Sequence, residues 1–193
     1  NFRLCDKASL KVSYTEMSQF MHQLSATYLN LPTDYWVPST ARITPMKARQ
    51  YAAGVYTRLP YNIRWSVEGF YKTMDNLIEY DGNSGMLNPM ADRWEEEVRT
   101  GKGKAYGMET DICYSNGKTS VDASYTLSWS KRFFPDFHSS WYPDKFDNRH
   151  RFSVNIGHKF NERIDVYASW NYHSGNRMTI PTQQVDAPVI PGV

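Results

Sequence analysis

Between residues 119 and 130 the chain reads TSVDASYTLSWS, and the residues alternate in character almost without error. Val121, Ala123, Tyr125, Leu127 and Trp129 fall on one parity; Ser120, Asp122, Ser124, Thr126, Ser128 and Ser130 fall on the other. Successive side chains of a β-strand point to opposite faces, so this segment predicts a strand with one apolar and one wholly polar face. Whatever covers the apolar face decides the fold. Similar alternation predicts about seven strands, at 9–17, 48–59, 62–73, 104–114, 119–131, 149–160 and 164–173. No helical periodicity competes, apart from a short turn near ADRWEEEV.

The connections fall into two sets. LPYN (59–62), SNGK (115–118) and NER (161–163) are tight, and Asn116-Gly117 is a type I′ hairpin signal. Residues 18–47, 74–103 and 132–148 are long. Tight and long connections alternate along the chain, so an up-and-down meander places all short turns at one end and all long loops at the other. Transmembrane barrels have this asymmetry as a rule.

The faces agree. On 149–160, Phe152, Val154, Ile156 and Phe160 oppose Ser153, Asn155, Gly157 and Lys159; on 62–73, Ile63, Trp65, Val67 and Tyr71 oppose Arg64, Ser66, Glu68 and Lys72. Large aromatics recur toward strand ends, as Tyr106, Tyr114, Trp129, Trp170, Tyr172, Trp65 and Tyr71. Rings with an apolar body and a polar tip suit the two membrane interfaces. The fold class expected is therefore all-β: an antiparallel up-and-down meander forming a segment of a large transmembrane β-barrel. A soluble or surface-attached β-sandwich that binds carbohydrate through aromatic loops is the alternative. It requires a second sheet to bury Tyr106, Tyr114, Trp129 and Trp170.

Composition narrows the function classes. Fourteen Tyr and six Trp accompany only 40% hydrophobic residues, a balance rich in interfacial and poor in core side chains. Mean hydropathy is −0.64 and no apolar run nears the length of a spanning helix, but barrel strands alternate and need only about 10 residues. With 22 basic against 20 acidic residues, no nucleic-acid partner is expected. Cys5 and Cys113 match no metal or redox spacing, and a disulfide and two free thiols both remain open. Neither end carries a recognisable targeting signal, and both read as cut, so the chain is expected to be part of a longer protein.

Several stretches together resemble the barrel region of TonB-dependent outer-membrane receptors. They are SYTEMSQFMHQLS (13–25), LPTDYWVPST (31–40), ITPMKARQYAAGVY (43–56), FYKTMDNLIEYDG (70–82), GKGKAYGMETDICYSNGKTSVDASYTLSWSKRFF (101–134) and FDNRHRFSVNIGHKF (146–160). They occur in the order expected of that family. The resemblance implies a barrel of about 22 strands plugged by an N-terminal domain that contacts TonB across the periplasm. Neither the plug nor the last strand is recognisable in this chain. The implied partners are the rest of the barrel, the plug, TonB through the plug, outer-membrane lipid and a nutrient; the implied location is the outer membrane. The parity of Val121 then faces lipid and that of Ser120 faces the lumen.

No residue is expected to do covalent chemistry, so the chain is read as a transporter segment, not an enzyme, with no cofactor and no metal. His150 and His158 share a strand parity but lie about 26 Å apart at strand rise, too far to share an ion. His22 and His138 fall in or near long loops at one end. Asp147, His150 and Ser153 cannot converge from regular strand geometry, because His150 has the other parity. Glu95, Glu96 and Glu97 read as a solvated cluster. The candidate ligand-binding residues are loop aromatics, Tyr35, Trp36, Trp94, Trp141 and Tyr142, which either stack on a ligand or pack the loops together.

Overall fold

The computed structural model describes residues 1–24, 35–80 and 94–176. The seven long strands are β2 (Ala8–Gln19), β5 (Met46–Leu59), β6 (Ile63–Tyr80), β7 (Val98–Ser115), β8 (Thr119–Phe133), β10 (His150–Asn161) and β11 (Ile164–His173). Four shorter ones accompany them: β1 (Phe2–Cys5), β3 (Met21–Leu24), β4 (Tyr35–Pro38) and β9 (Tyr142–Pro143). One antiparallel sheet runs in the order β1-β2-β5-β6-β7-β8-β10-β11, with β9 added at the end of β8; β3 and β4 form a separate hairpin. The sheet is open, with β1 and β11 as its edges. Cys5 and Cys113 are free thiols on β1 and β7, with β2, β5 and β6 between them.

Register carries the alternation of each strand across the whole wall. Tyr14 pairs with Tyr51, Tyr51 with Tyr71, Tyr71 with Tyr106 and Tyr106 with Trp129, so one aromatic row crosses β2, β5, β6, β7 and β8. Its neighbours are in ring contact, Tyr14–Tyr51 tilted with centroids at 5.0 Å and Tyr106–Trp129 stacked at 5.5 Å. Toward the tight turns the same face carries Leu10, Val55, Val67 and Tyr125, then Leu59, Ile63 and Tyr114. From Tyr71 to Ile63 this band measures about 26 Å along the strand, the extent expected of a lipid-facing zone. Toward the long loops the face turns charged at once, with Glu16, Arg49, Lys104 and Lys131 in the next row.

Within the apolar band, polar groups find partners on the wall itself. Trp65 Nε1 donates to Thr110 Oγ1 at 3.0 Å, and that hydroxyl donates to the Ser66 carbonyl at 3.0 Å. Such closure is required where no water reaches. The sandwich alternative fails at this point. Trp65, Tyr71 and Trp170 are exposed, while Tyr106, Tyr114 and Trp129 are half-buried within their own face. Among the described residues the second sheet is the β3–β4 hairpin at the long-loop end, and it does not cover them.

Three local features depart from the sequence reading. The positive-φ pair expected of a type I′ turn lies at Tyr61 (64°) and Asn62 (58°), whereas at Asn116-Gly117 only the glycine is positive, at 86°. There Asn116 Oδ1 accepts from the Lys118 and Thr119 N–H groups, so its side chain closes the turn in place of backbone torsion. β6 and β7 run past the expected 73 and 104, to Tyr80 and from Val98, because a bulge at Asn76 (φ 60°) breaks the period. The extra residue moves Leu77 to the lumenal parity, where it is buried beside Gly103. Asn76 Nδ2 donates to the Pro45 carbonyl at 3.0 Å and holds the bulge. Finally, Phe2–Cys5 adds a strand too short for alternation to reveal.

Close approach on the lumenal side is severe at Gly107, where a Cβ would stand 2.4 Å from the Leu127 carbonyl oxygen and 2.9 Å from Ser128 Cα. Backbone cannot yield as a flexible side chain does. Gly107→Val is expected to cost about 1–3 kcal/mol, measured as a lower urea midpoint for unfolding of the full-length receptor. An unchanged midpoint would contradict the register of β7 on β8.

Candidate functional site

Two surfaces can meet a ligand: the lumenal face of the sheet and the structure above the long-loop end. The lumenal face is polar from β2 to β11. Glu68 pairs directly with Glu109, and Asp111 and Asp122 lie in the following rows, so the wall presents an acidic belt on β6, β7 and β8. Like charges directly opposite one another are unfavourable in isolation. Tyr56 donates to Glu68 Oε2 at 2.7 Å, which relieves part of the repulsion.

Nearly every buried side chain lies at the long-loop end, not in the spanning sheet. Leu24, Val37, Ile43 and Val98 form a small core with Ile78 and Trp94 packed against it. A second group surrounds Phe134, which is fully buried and stacks on Phe137 at 5.9 Å. Beside it Arg132 reaches Glu79 Oε2 at 3.8 Å, and its Nε meets Asp144 Oδ2 at 3.0 Å as an ion pair, not a well-aligned hydrogen bond. Asp147 is buried, accepts from the Ser130 N–H at 2.9 Å and pairs with Arg149 at 3.0 Å. The Arg149 guanidinium in turn lies 4.9 Å from the Trp129 ring centroid. Loop 134–149 is therefore tied to the wall by charge and packing together.

The candidate aromatics divide by role in this frame. Trp36 alternates with buried Val37 and is 54% exposed, so it points away from the hairpin core. Tyr35 opens β4 opposite Leu24; its side chain lies outside the described residues. Trp94, in a 3-10 turn (Trp94–Glu96), packs against the core cluster. Tyr142 donates to Glu79 Oε2 at 3.0 Å and takes the His138 ring edge-on at 4.6 Å. Trp141 packs at a tilt on Phe133 at 5.6 Å, with Lys104 Nζ 4.1 Å from its centroid, on the outward parity just above the aromatic row. The structure thus brings Tyr142 and Trp94 into packing, and leaves Trp36 and Trp141 presented on different surfaces. Glu96 faces Arg42 at 3.4 Å across an exposed pair. Sequence reading passed over Asp144 and weighed Asp147 only as a triad member, whereas both are buried carboxylates at the foot of the loop.

The histidines have separate neighbours. His22 is buried and lies 3.1 Å from Ser39 Oγ; His150 contacts the Tyr125 hydroxyl and His158 the Thr119 hydroxyl. Burial holds the His22 imidazole below its ordinary value near 6.5, against a smaller opposing contact with the Thr44 backbone. A depressed folded value means the hairpin keeps its full stability above about pH 6.5 and loses it as pH falls through the folded value. Lower protection factors over 21–24 and 35–38 at pH 5 than at pH 7.5, taken relative to the intrinsic exchange rate at each pH and equalised by His22→Gln, are the expected result.

An open antiparallel meander with an apolar outward face, an aromatic row at its upper limit, a polar inward face and packed loops above defines a section of transmembrane barrel wall. Residues 1–192 match the family model described as TonB dependent receptor-like, beta-barrel, and the chain belongs to that family. No curated protein matches it. Members of this family are outer-membrane transporters, so the chain is a barrel segment of an outer-membrane transport protein.

Proposed function

We propose that the chain forms wall and mouth of a receptor that imports a nutrient with energy delivered by TonB through a plug domain. The observation that carries this reading is the continuous separation of faces across eight registered strands, apolar outward and polar and charged inward, with most buried side chains at the long-loop end. A passive hydrophobic scaffold would not need a charged lumenal belt. Glu68 and Glu109 suit a basic plug surface, since each would gain an opposite charge beside its like neighbour. Among the aromatics, the exposure of Trp36 supports a role in meeting cargo, and the packing of Trp94 and Tyr142 supports a role in holding the loops.

The full-length receptor should show heat-modifiable migration after extraction from outer membranes and should bind the periplasmic domain of TonB in a pull-down. A protein that leaves the membrane without detergent and shows no shift on boiling would overturn the transporter reading.

A further inference from the structure

Beyond the bulge at Asn76, two consecutive residues of β6 join two different long loops. Ile78 has the outward parity, opposite Thr100, and packs with Val98 against Leu24, Val37 and Ile43 of the first loop. Glu79 has the lumenal parity, opposite Arg99; it accepts from the Tyr142 hydroxyl at 3.0 Å and lies 3.8 Å from Arg132. The tip of β6 and β7 is therefore held from outside by the β3–β4 hairpin and from the lumenal side by loop 134–149. Ile78 stands about 20 Å along the strand from Tyr71, well past the apolar band, so packing and not lipid holds this tip.

The bulge makes the arrangement possible. Asp75 pairs with Lys102 and Leu77 with Gly101, which leaves Asn76 as the extra residue between them. Were the period unbroken, Ile78 would turn to the lumen and Glu79 would enter the hairpin core. A carboxylate among Leu24, Val37 and Ile43 would be buried without a partner, at high cost. Asn76 suits the position in two ways. Its φ of 60° is one that asparagine adopts far more readily than a β-branched residue. Its Nδ2 also donates to the Pro45 carbonyl at 3.0 Å, two residues after Ile43, so the same side chain ties the bulge to the first loop.

We infer that Asn76 is a positioning residue for the receptor's mouth: its bulge makes Ile78 and Glu79 a two-sided coupler, through which the β3–β4 hairpin and loop 134–149 order and open as one unit. A contact that orders either loop then lowers the cost of ordering the other, and the effect is reciprocal. Cargo that meets one loop is thereby presented with both. That this unit borders the entrance for cargo rests on the transporter reading above, whereas the coupling rests on the contacts alone.

The test measures hydrogen exchange of the full-length receptor in detergent, with protection taken relative to the intrinsic exchange rate. Tyr142→Phe removes the donor to Glu79 and should lower protection over 21–24 and 35–38 about fivefold, part of the worth of a hydrogen bond to a charged group. Val37→Ala, on the other face, should lower protection over 142–148 by a similar factor. Asn76→Val, which disfavours the positive φ, should lower both regions together. Asn76→Gly keeps that torsion without the Pro45 contact and should fall between the valine variant and the wild type. A loss confined to one loop in any of these variants, unchanged protection in Asn76→Val, or equal damage from Asn76→Gly would each overturn the inference. Heat-modifiable migration of each variant reads the barrel wall separately, so uncoupled loops on a closed barrel are distinguishable from failure of the transporter reading.

Discussion

Val67→Arg is expected to prevent the full-length receptor from reaching its heat-modifiable, folded form, whereas Ser66→Arg, one residue away, is expected to leave it folded. Val67 pairs with Val55 and Thr110 midway between Tyr71 and Ile63, at the centre of the outward apolar band. A guanidinium there lies at the depth where an arginine costs about 2–4 kcal/mol in a barrel wall. Ser66 has the opposite parity and pairs with Asp111, so an arginine at that position enters a polar surface beside a carboxylate. The comparison reads the gel shift of two variants that differ only in face. Equal folding of both would remove the lipid-facing assignment of the whole sheet, because register ties every strand from β2 to β11 to the same parity.

The second large effect concerns the long-loop end. Phe134→Ala should cost about 3–5 kcal/mol of local stability, the range for deleting a buried aromatic ring. Phe134 is completely buried, stacks on Phe137, and lies so close to Gly101 that a Cβ there would stand 2.6 Å from its ring. Its carbonyl also accepts from the Phe137 and His138 N–H groups, so the ring and backbone together turn the chain off β8. Limited proteolysis should cut within 135–145 in the variant and not in the wild type, with heat-modifiable migration retained. The two substitutions separate two kinds of stability. Val67 tests solvation of the spanning wall, and Phe134 tests packing of a water-exposed cap, which can open while the strands stay paired. Resistance of the variant to cleavage would mean that the Arg132 and Asp144 pair, not the ring, holds the loop.

Cap and wall also differ in what the sequence reveals of them. Alternation is a property of consecutive residues, so Val121 to Trp129 and Ile63 to Tyr71 could be read directly as strand faces. Tight connections were legible too, since 59–62, 115–118 and 161–163 are short and polar or Pro- and Gly-marked. The bulge at Asn76 was not legible, because a positive φ in an asparagine leaves no periodic trace and removes the period on which the reading depends. The same holds for β3 and β4, whose four-residue strands pair across a loop. For the candidate aromatics, residue type marked an interest in stacking but not its object. Tyr142 turns inward to Glu79, Trp141 outward to Lys104, and Trp36 away from the hairpin core.

By itself, then, the sequence determined the strands, their two faces and the asymmetry of their ends, because a period of two and a turn signal are local consequences of backbone geometry. Tertiary structure alone decided which residues meet across strands. The aromatic row from Tyr14 to Trp129, the facing lysines Lys104 and Lys131, and the buried Asp144 and Asp147 all arise from register and loop return, which join residues distant in the chain. A one-residue slip would exchange the faces of a strand, so register is selected by the membrane and the lumen acting on the whole sheet.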